Sequence, residues 1–204
     1  MTCMPTRLLT PALLALALAA CGVDDGGSGE NAAAEADRAA ETAGPTTRPD
    51  ATAPVAIARL EPTEGSATRG DLRFVASRDR IEVTGTLTGL PGGGTHGFHV
   101  HETGDCRAPD ATSAGGHFNP ADTAHGRVGR GDHHAGDSDN IRAGADGRAQ
   151  VQGWLEGATL GDGAATDIVG RAVIVHADAD DYTTQPTGNA GDRVACGVIE
   201  RGPD

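Results

Sequence analysis

From Val55 onward, apolar and polar positions follow one another in short runs with the two-residue period of strands that bury one face. The runs Val55–Leu60, Leu72–Ala76, Arg80–Leu87, Thr95–His101, Arg148–Leu155, Arg171–His176 and Val194–Ile199 are the predicted strands. Turn-forming groups separate them, among them Pro91-Gly92-Gly93-Gly94, Ala145-Asp146-Gly147 and Gly161-Asp162-Gly163. No stretch carries the period of a long amphipathic helix. Seven or eight short strands therefore predict an all-β, antiparallel sandwich or barrel over residues 55–204. One segment breaks the rhythm. Between Glu102 and Ile141 about forty residues show little strand character, and loops of that length are functional or disordered. A bound metal would give this one its order.

The pattern before Val55 is different. Arg7 precedes an apolar run, Ala12 to Ala20, that is interrupted upstream by Pro11 and is too short to span a bilayer. A charged start and an apolar middle are the marks of an export signal over residues 1–20. Its ending, Leu18-Ala19-Ala20-Cys21, resembles the lipobox of bacterial lipoproteins, which implies a lipid on Cys21 and a membrane as partner. A secretion signal cut at another small residue is the alternative. Residues 21–54 are rich in Gly, Ala, Asp, Glu and Thr, with Val23 as the only large aliphatic side chain, and so cannot bury enough surface to offset chain ordering. They predict a disordered tether. Either form predicts export, and an oxidising compartment permits Cys106 and Cys196 to pair; with the lipid the location is the cell envelope, periplasm or cell surface.

Composition narrows the function. Of 204 residues 31 are glycine and only 2% aromatic, which argues against a helix bundle or coiled coil. The net charge of −13 argues against a nucleic-acid partner, since nothing here could neutralise a run of phosphates. All sixteen cations are arginine, leaving no lysine for a Schiff base or a phosphate loop.

The histidines carry the chemistry. His99 and His101 lie two apart on a predicted strand and so project from one face, forming half of a metal site. His117, His125 and His134 recur along the long loop, Asp137 follows, and His176 ends a later strand. Imidazole-rich ligation without thiolate suits copper or zinc, and the single carboxylate suits zinc.

Three segments go further. Gly97-Phe98-His99-Val100-His101-Glu102, Ser113-Ala114-Gly115-Gly116-His117-Phe118-Asn119-Pro120 and Gly188-Asn189-Ala190-Gly191-Asp192-Arg193-Val194-Ala195-Cys196-Gly197-Val198-Ile199 resemble the signature segments of copper–zinc superoxide dismutases, in the family's order. The resemblance covers about Val55–Ile199, the whole of the predicted fold, and suggests the bacterial, exported lipoprotein form. It implies an eight-stranded Greek-key β-barrel with two long functional loops. It implies copper on His99, His101, His117 and His176, and zinc on His117, His125, His134 and Asp137, with His117 between the metals. Asp180 matches an aspartate that orients a ligand of each metal, here His99 and His125. Arg193 matches the arginine that receives the superoxide anion, and Cys106 and Cys196 match the family's disulfide.

The activity so implied is dismutation, in which one superoxide is oxidised to O₂ and a second is reduced to H₂O₂, defending the envelope. An envelope copper-holding or copper-delivering module is the competing reading; it would ordinarily lack a copper ligand or the arginine, and neither is missing here. His96 resembles a histidine that braces backbone, His133 is expected to face solvent, and Trp154, Tyr182 and Arg171 are expected to be structural. The charged tail Glu200-Arg201-Gly202-Pro203-Asp204 would be costly to bury in the eukaryotic type of dimer, which predicts a monomer or a dimer through another face. Asp192, next to Arg193, is expected to oppose the approach of an anion.

Overall fold

The computed structural model describes residues 53–203; the export signal, Cys21 and nearly all of the tether lie outside the described residues. Among the described residues the strands are β1 Val55–Pro62, β2 Arg69–Ser77, β3 Arg80–Thr88, β4 Thr95–His96, β5 Phe98–His101, β6 Ile141–Arg142, β7 Ala149–Glu156, β8 Ala172–His176 and β9 Arg193–Arg201. Seven of them form one antiparallel sheet in the order β5-β8-β9-β1-β2-β3-β7, and β4 pairs with β6.

β4 and β5 are two halves of one strand broken at Gly97. The first half pairs with β6 (His96 opposite Ile141), the second with β8 (Phe98 opposite Val175). At the break the Gly97 N–H donates to Asp178 O at 2.7 Å, and its carbonyl accepts from His176 N–H at 2.9 Å. A Cβ there would stand 2.8 Å from the Ala190 methyl, so only glycine lets the 177–192 loop dock this closely. Counting the halves together gives the expected eight strands, curled into a Greek-key barrel. The turn after β6, in which Gly144 N–H donates to Arg148 O at 2.8 Å, leads into β7.

Burial explains why these runs become strands. On β1, Ala56, Ala58 and Leu60 enter the core while Ile57, Arg59 and Glu61 face outward. β5 and β8 depart from this alternation, being buried at every position. Phe98, Val100, Val173 and Val175 fill the barrel interior. The opposite face carries His99, His101, Ala172, Ile174 and His176, with Ala172 and Ile174 in a second apolar cluster beside Ala111, Ala114 and Cys196. The long loop is therefore a cover for this face. Backbone hydrogen bonds tie it to β5: Phe118 N–H donates to Val100 O (2.9 Å), Val100 N–H to Gly136 O (2.8 Å), and Gly136 N–H to Phe118 O (2.9 Å). Phe118 and Ala135 reach the main core, and the Cys106–Cys196 disulfide ties the loop to β9 with a Cα–Cα distance of 5.8 Å.

Several strand boundaries differ from the pattern, β2 among them, which begins at Arg69 and not at Leu72. β6 is too short to show a period. β1 extends to Pro62, and β9 runs past Ile199 because Glu200 and Arg201 pair with Ile57 and Ala56 of β1. Pro54, at the end of the tether, already accepts from Ala76 N–H at 3.0 Å.

Candidate metal centre

β5 aims His99 and His101 at the loop, and the loop lays His117 and Asp137 alongside them: His101 pairs with His117 and His99 with Asp137 as isolated bridges. On β8 the register shifts between Val175 and His176, which sets His176 opposite Arg193. Such a bulge re-aims a side chain. All the expected ligands thereby converge.

Two groups result. Ligand atoms of His99, His101, His117 and His176 lie within 4.8 Å of one another, and so do those of His117, His125, His134 and Asp137. Within the first group, His99 Nδ1, His101 Nε2, His117 Nε2 and His176 Nε2 are buried without hydrogen-bond partners. The other nitrogen of each ring is engaged. His99 Nε2–H donates to Asp180 Oδ2 (2.8 Å), His101 Nδ1–H to Gly115 O (2.9 Å), His117 Nδ1–H to Asp137 Oδ1 (2.8 Å) and His176 Nδ1–H to Gly191 O (3.2 Å). Four convergent buried lone pairs with nothing to accept from are costly, and a cation with imidazole affinity satisfies them together. An all-imidazole set fits copper.

The second group has a carboxylate at its centre. Asp137 Oδ2 accepts backbone N–H groups of His134 (2.8 Å) and Gly126 (3.2 Å). His125 Nδ1 lies 3.0 Å from Asp137 Oδ2 and His134 Nδ1 lies 3.4 Å from Oδ1, both without the alignment of a hydrogen bond. Three imidazoles and one carboxylate fit zinc.

Behind both groups stands Asp180, which accepts from His99 through Oδ2 and from His125 Nε2–H through Oδ1 at 3.0 Å. Asn140 clamps its backbone from both sides, Nδ2 donating to Asp180 O (2.9 Å) and Oδ1 accepting from Asp180 N–H (2.8 Å). Gln185 clamps His125 in the same way at 2.8 Å for both bonds. Neither amide was legible beforehand, since no spacing or motif marks it.

The electrostatics divide the two groups. Burial pulls His176 down to about 3, helped by the neighbouring His99, and pulls His117 down to about 4 against the Asp137 hydrogen bond. Burial likewise holds His101 well below the ordinary histidine range. His125 goes the other way: burial acts against its charge, but Asp137 and Asp180 outweigh it and raise the ring to about 9. Burial opposes the charge of both aspartates, yet the histidine donors hold them well below the usual carboxylate range.

Arg193 flanks the first group. Nη1 donates to Ala111 O and Nη2 to Gly115 O, each at 2.6 Å, and the Gly115 carbonyl also holds His101. Burial lowers its pKa, while the charge of Asp110 works in the opposite direction. The neighbour in sequence, Asp192, is exposed; the carboxylate acting on the guanidinium is that of Asp110.

His96 is buried and its Nδ1–H donates to His176 O at 3.0 Å, a backbone brace. His133 does not face solvent: its side chain is 12% exposed, with Nδ1–H donating to His134 O (2.9 Å) and Nε2 3.6 Å from Glu156. The turn of the chain that points His134 inward folds its neighbour against β7. Arg171 donates to Glu102 O and lies 4.5 Å from the Phe118 ring centroid, Trp154 packs under Arg80, and the Tyr182 hydroxyl accepts from Asn140 N–H at 2.9 Å. All three are structural.

The sequence profile described as copper/zinc superoxide dismutase (SODC) matches residues 68–199. The chain belongs to the copper/zinc superoxide dismutase family. It is 37% identical over 147 residues to superoxide dismutase [Cu-Zn] 2 of Aquifex aeolicus, covering 71% of this chain and 85% of that one. To the superoxide dismutase-like protein YojM of Bacillus subtilis it is 39% identical over 140 residues, 67% of this chain and 71% of the relative. The crystal structure of a double mutant of a SOD-like protein from Bacillus subtilis superposes with a TM-score of 0.62 at 37% identity, over 71% of this chain and 96% of that one. Copper and zinc are the cofactors of a copper/zinc superoxide dismutase, and the two ligand groups have the donors each requires.

Proposed function

We propose that the protein dismutes superoxide, with copper on His99, His101, His117 and His176 and zinc on His117, His125, His134 and Asp137. One observation carries the reading: His117 belongs to both groups, with Nε2 turned to the first and Nδ1 to the second. Copper supplies a one-electron couple that imidazole ligands tolerate in both oxidation states, and zinc supplies a fixed charge and order.

The chain's own residues supply the rest. Arg193, its guanidinium fixed by two carbonyls, offers a permanent positive charge to an anion at the first group. His117 Nε2, buried without a partner, is the atom that would take up and give back a proton, and Asp137 shares the second group with the other ring nitrogen. Asp180 fixes His99 and His125 in orientation, and burial keeps bulk water from all the ligand rings. Two superoxide ions and two protons thus become one O₂ and one H₂O₂.

We further propose that the protein works in the cell envelope, held to a membrane by lipid on Cys21 and a tether of residues 21–54. The leader and lipobox-like ending support this. The exposed, charged residues Glu200 and Arg201 support a monomer, or a dimer through another face. A copper-holding module is the competing class; complete ligand sets and an anchored Arg193 favour the enzyme. Catalysed superoxide decay tests the proposal.

A further inference from the structure

Arg193 owes its position to a turn of the covering loop. Its Nη1 donates to the carbonyl of Ala111, at 2.6 Å. Ala111 is buried and has φ 56°, a left-handed conformation that a residue with a Cβ rarely adopts. Something must hold it there. The preceding residue does: Asp110 Oδ1 accepts from Thr112 N–H at 3.0 Å and from Thr112 Oγ1–H at 2.7 Å, bridging Ala111 on its far side. Around it, Ala111 N–H donates to Ala108 O (2.8 Å) and Glu64 N–H to Pro109 O (2.8 Å), so the segment is fixed against the turn after β1 as well.

The same carboxylate is a negative charge one residue from the carbonyl that holds the guanidinium. The Thr112 donors, assisted by Arg193, depress its pKa, so it stays ionised near neutrality. Its two effects oppose each other: the turn presents Arg193, and the charge weakens the attraction of Arg193 for an anion.

We propose that Asp110 is a positioning residue for Arg193, which builds the turn that fixes the guanidinium and at the same time limits the strength with which it draws the substrate anion. The inference rests on the dismutase reading for the identity of that anion. Asp110→Asn separates the two effects, because the amide oxygen still accepts from Thr112 while the charge is gone. Asp110→Ala removes both.

The test has two arms. In the metal-free full-length protein, titration with inorganic phosphate at low ionic strength is expected to give Asp110→Asn about threefold tighter binding than the parent, a gap that closes as salt screens the charge. Asp110→Ala is expected to bind more weakly than Asp110→Asn at every ionic strength, since a lost turn is not restored by salt. In the metal-loaded protein, kcat/KM for superoxide is expected to follow the same order and the same salt dependence, with kcat at saturating substrate unchanged in Asp110→Asn. Phosphate binding and kcat/KM for Asp110→Asn that superimpose on the parent at low salt would overturn the charge effect. Equal behaviour of the Asn and Ala variants would overturn the turn. A parent protein with no turnover, but with phosphate affinities in the expected order, would refute the dismutase reading and leave the placement of Arg193 by Asp110 standing.

Discussion

Gly188 lies against the Asp180 carboxylate with no room between them for a Cβ, and its φ of 65° is one that L side chains rarely adopt. A methyl group there would also stand 2.7 Å from His125 Nε2. The shared aspartate and one ring of the second group are thus set by the absence of a side chain. Gly188→Ala should push Asp180 off His125, and weaken zinc binding by roughly 10–100-fold, the usual cost of losing a partner behind a ligand. Competition for zinc with a chelator measures it; unchanged affinity would mean that the loop gives way and Asp180 does not.

His117 is the one residue common to the two groups, whereas His125 belongs to the second alone. His117→Ala should therefore disturb the content of both metals, and His125→Ala should lose chiefly zinc. Metal analysis of the purified variants reads the ratio directly. Identical copper and zinc losses in the two would contradict the ligand assignment.

Much of this was legible in the sequence because the relevant signals are local or of fixed period. The strand pair His99 and His101, the alternation of β1 and the turn glycines all follow from neighbours along the chain. What was not legible depends on contacts across the fold. The pairing of Glu200 and Arg201 with β1 is made by backbone, so their charges say nothing of it. The break at Gly97 exists because a distant loop docks there, and Asn140 and Gln185 each act through a pair of hydrogen bonds to distant backbone that no motif marks. Asp110, whose charge acts on Arg193, lies about eighty residues away in sequence and is brought near by the turn at Ala111. No family role marks His133, and only the packing against Glu156 shows that it does not face solvent.

The split in histidine pKa values makes metal loading pH-dependent. With its ring raised to about 9, His125 is protonated at pH 7 in the metal-free protein and must give up that proton to bind zinc. His176, lowered to about 3, has none to release. Zinc affinity should rise with pH from 7 to about 9, and calorimetry in buffers of different ionisation enthalpy should detect the released proton. The same shifts set the stability of the metal-free fold. The His125 contribution is full below an unfolded pKa of about 6.5 and is lost as pH climbs to about 9; those of His117 and His176, lowered to about 4 and about 3, are lost as pH falls from about 6.5 towards those values. Urea midpoints of the chelator-stripped protein should therefore peak between the two limbs, and a midpoint that rises steadily from pH 4 to 9 would contradict the signs.

Cys21→Ser tests the anchor. A lipoprotein carries several acyl chains, which hold firmly where a single chain binds only marginally. The variant should move from the membrane fraction to the soluble exported fraction. Retention of the variant in the membrane fraction would exclude Cys21 as the point of attachment.

Catalysis by the paired sites is read from the rate of superoxide decay in the presence of the copper- and zinc-loaded protein. Decay should be first order in protein, with many superoxide ions consumed per copper and one O₂ and one H₂O₂ formed for every two. Arg193→Ala should keep both metals and lower kcat/KM by about tenfold or more, as expected when a charge that concentrates an anionic substrate is removed. Copper held at full stoichiometry while superoxide decays only at its spontaneous rate would contradict the account, and would make the protein a copper-binding module.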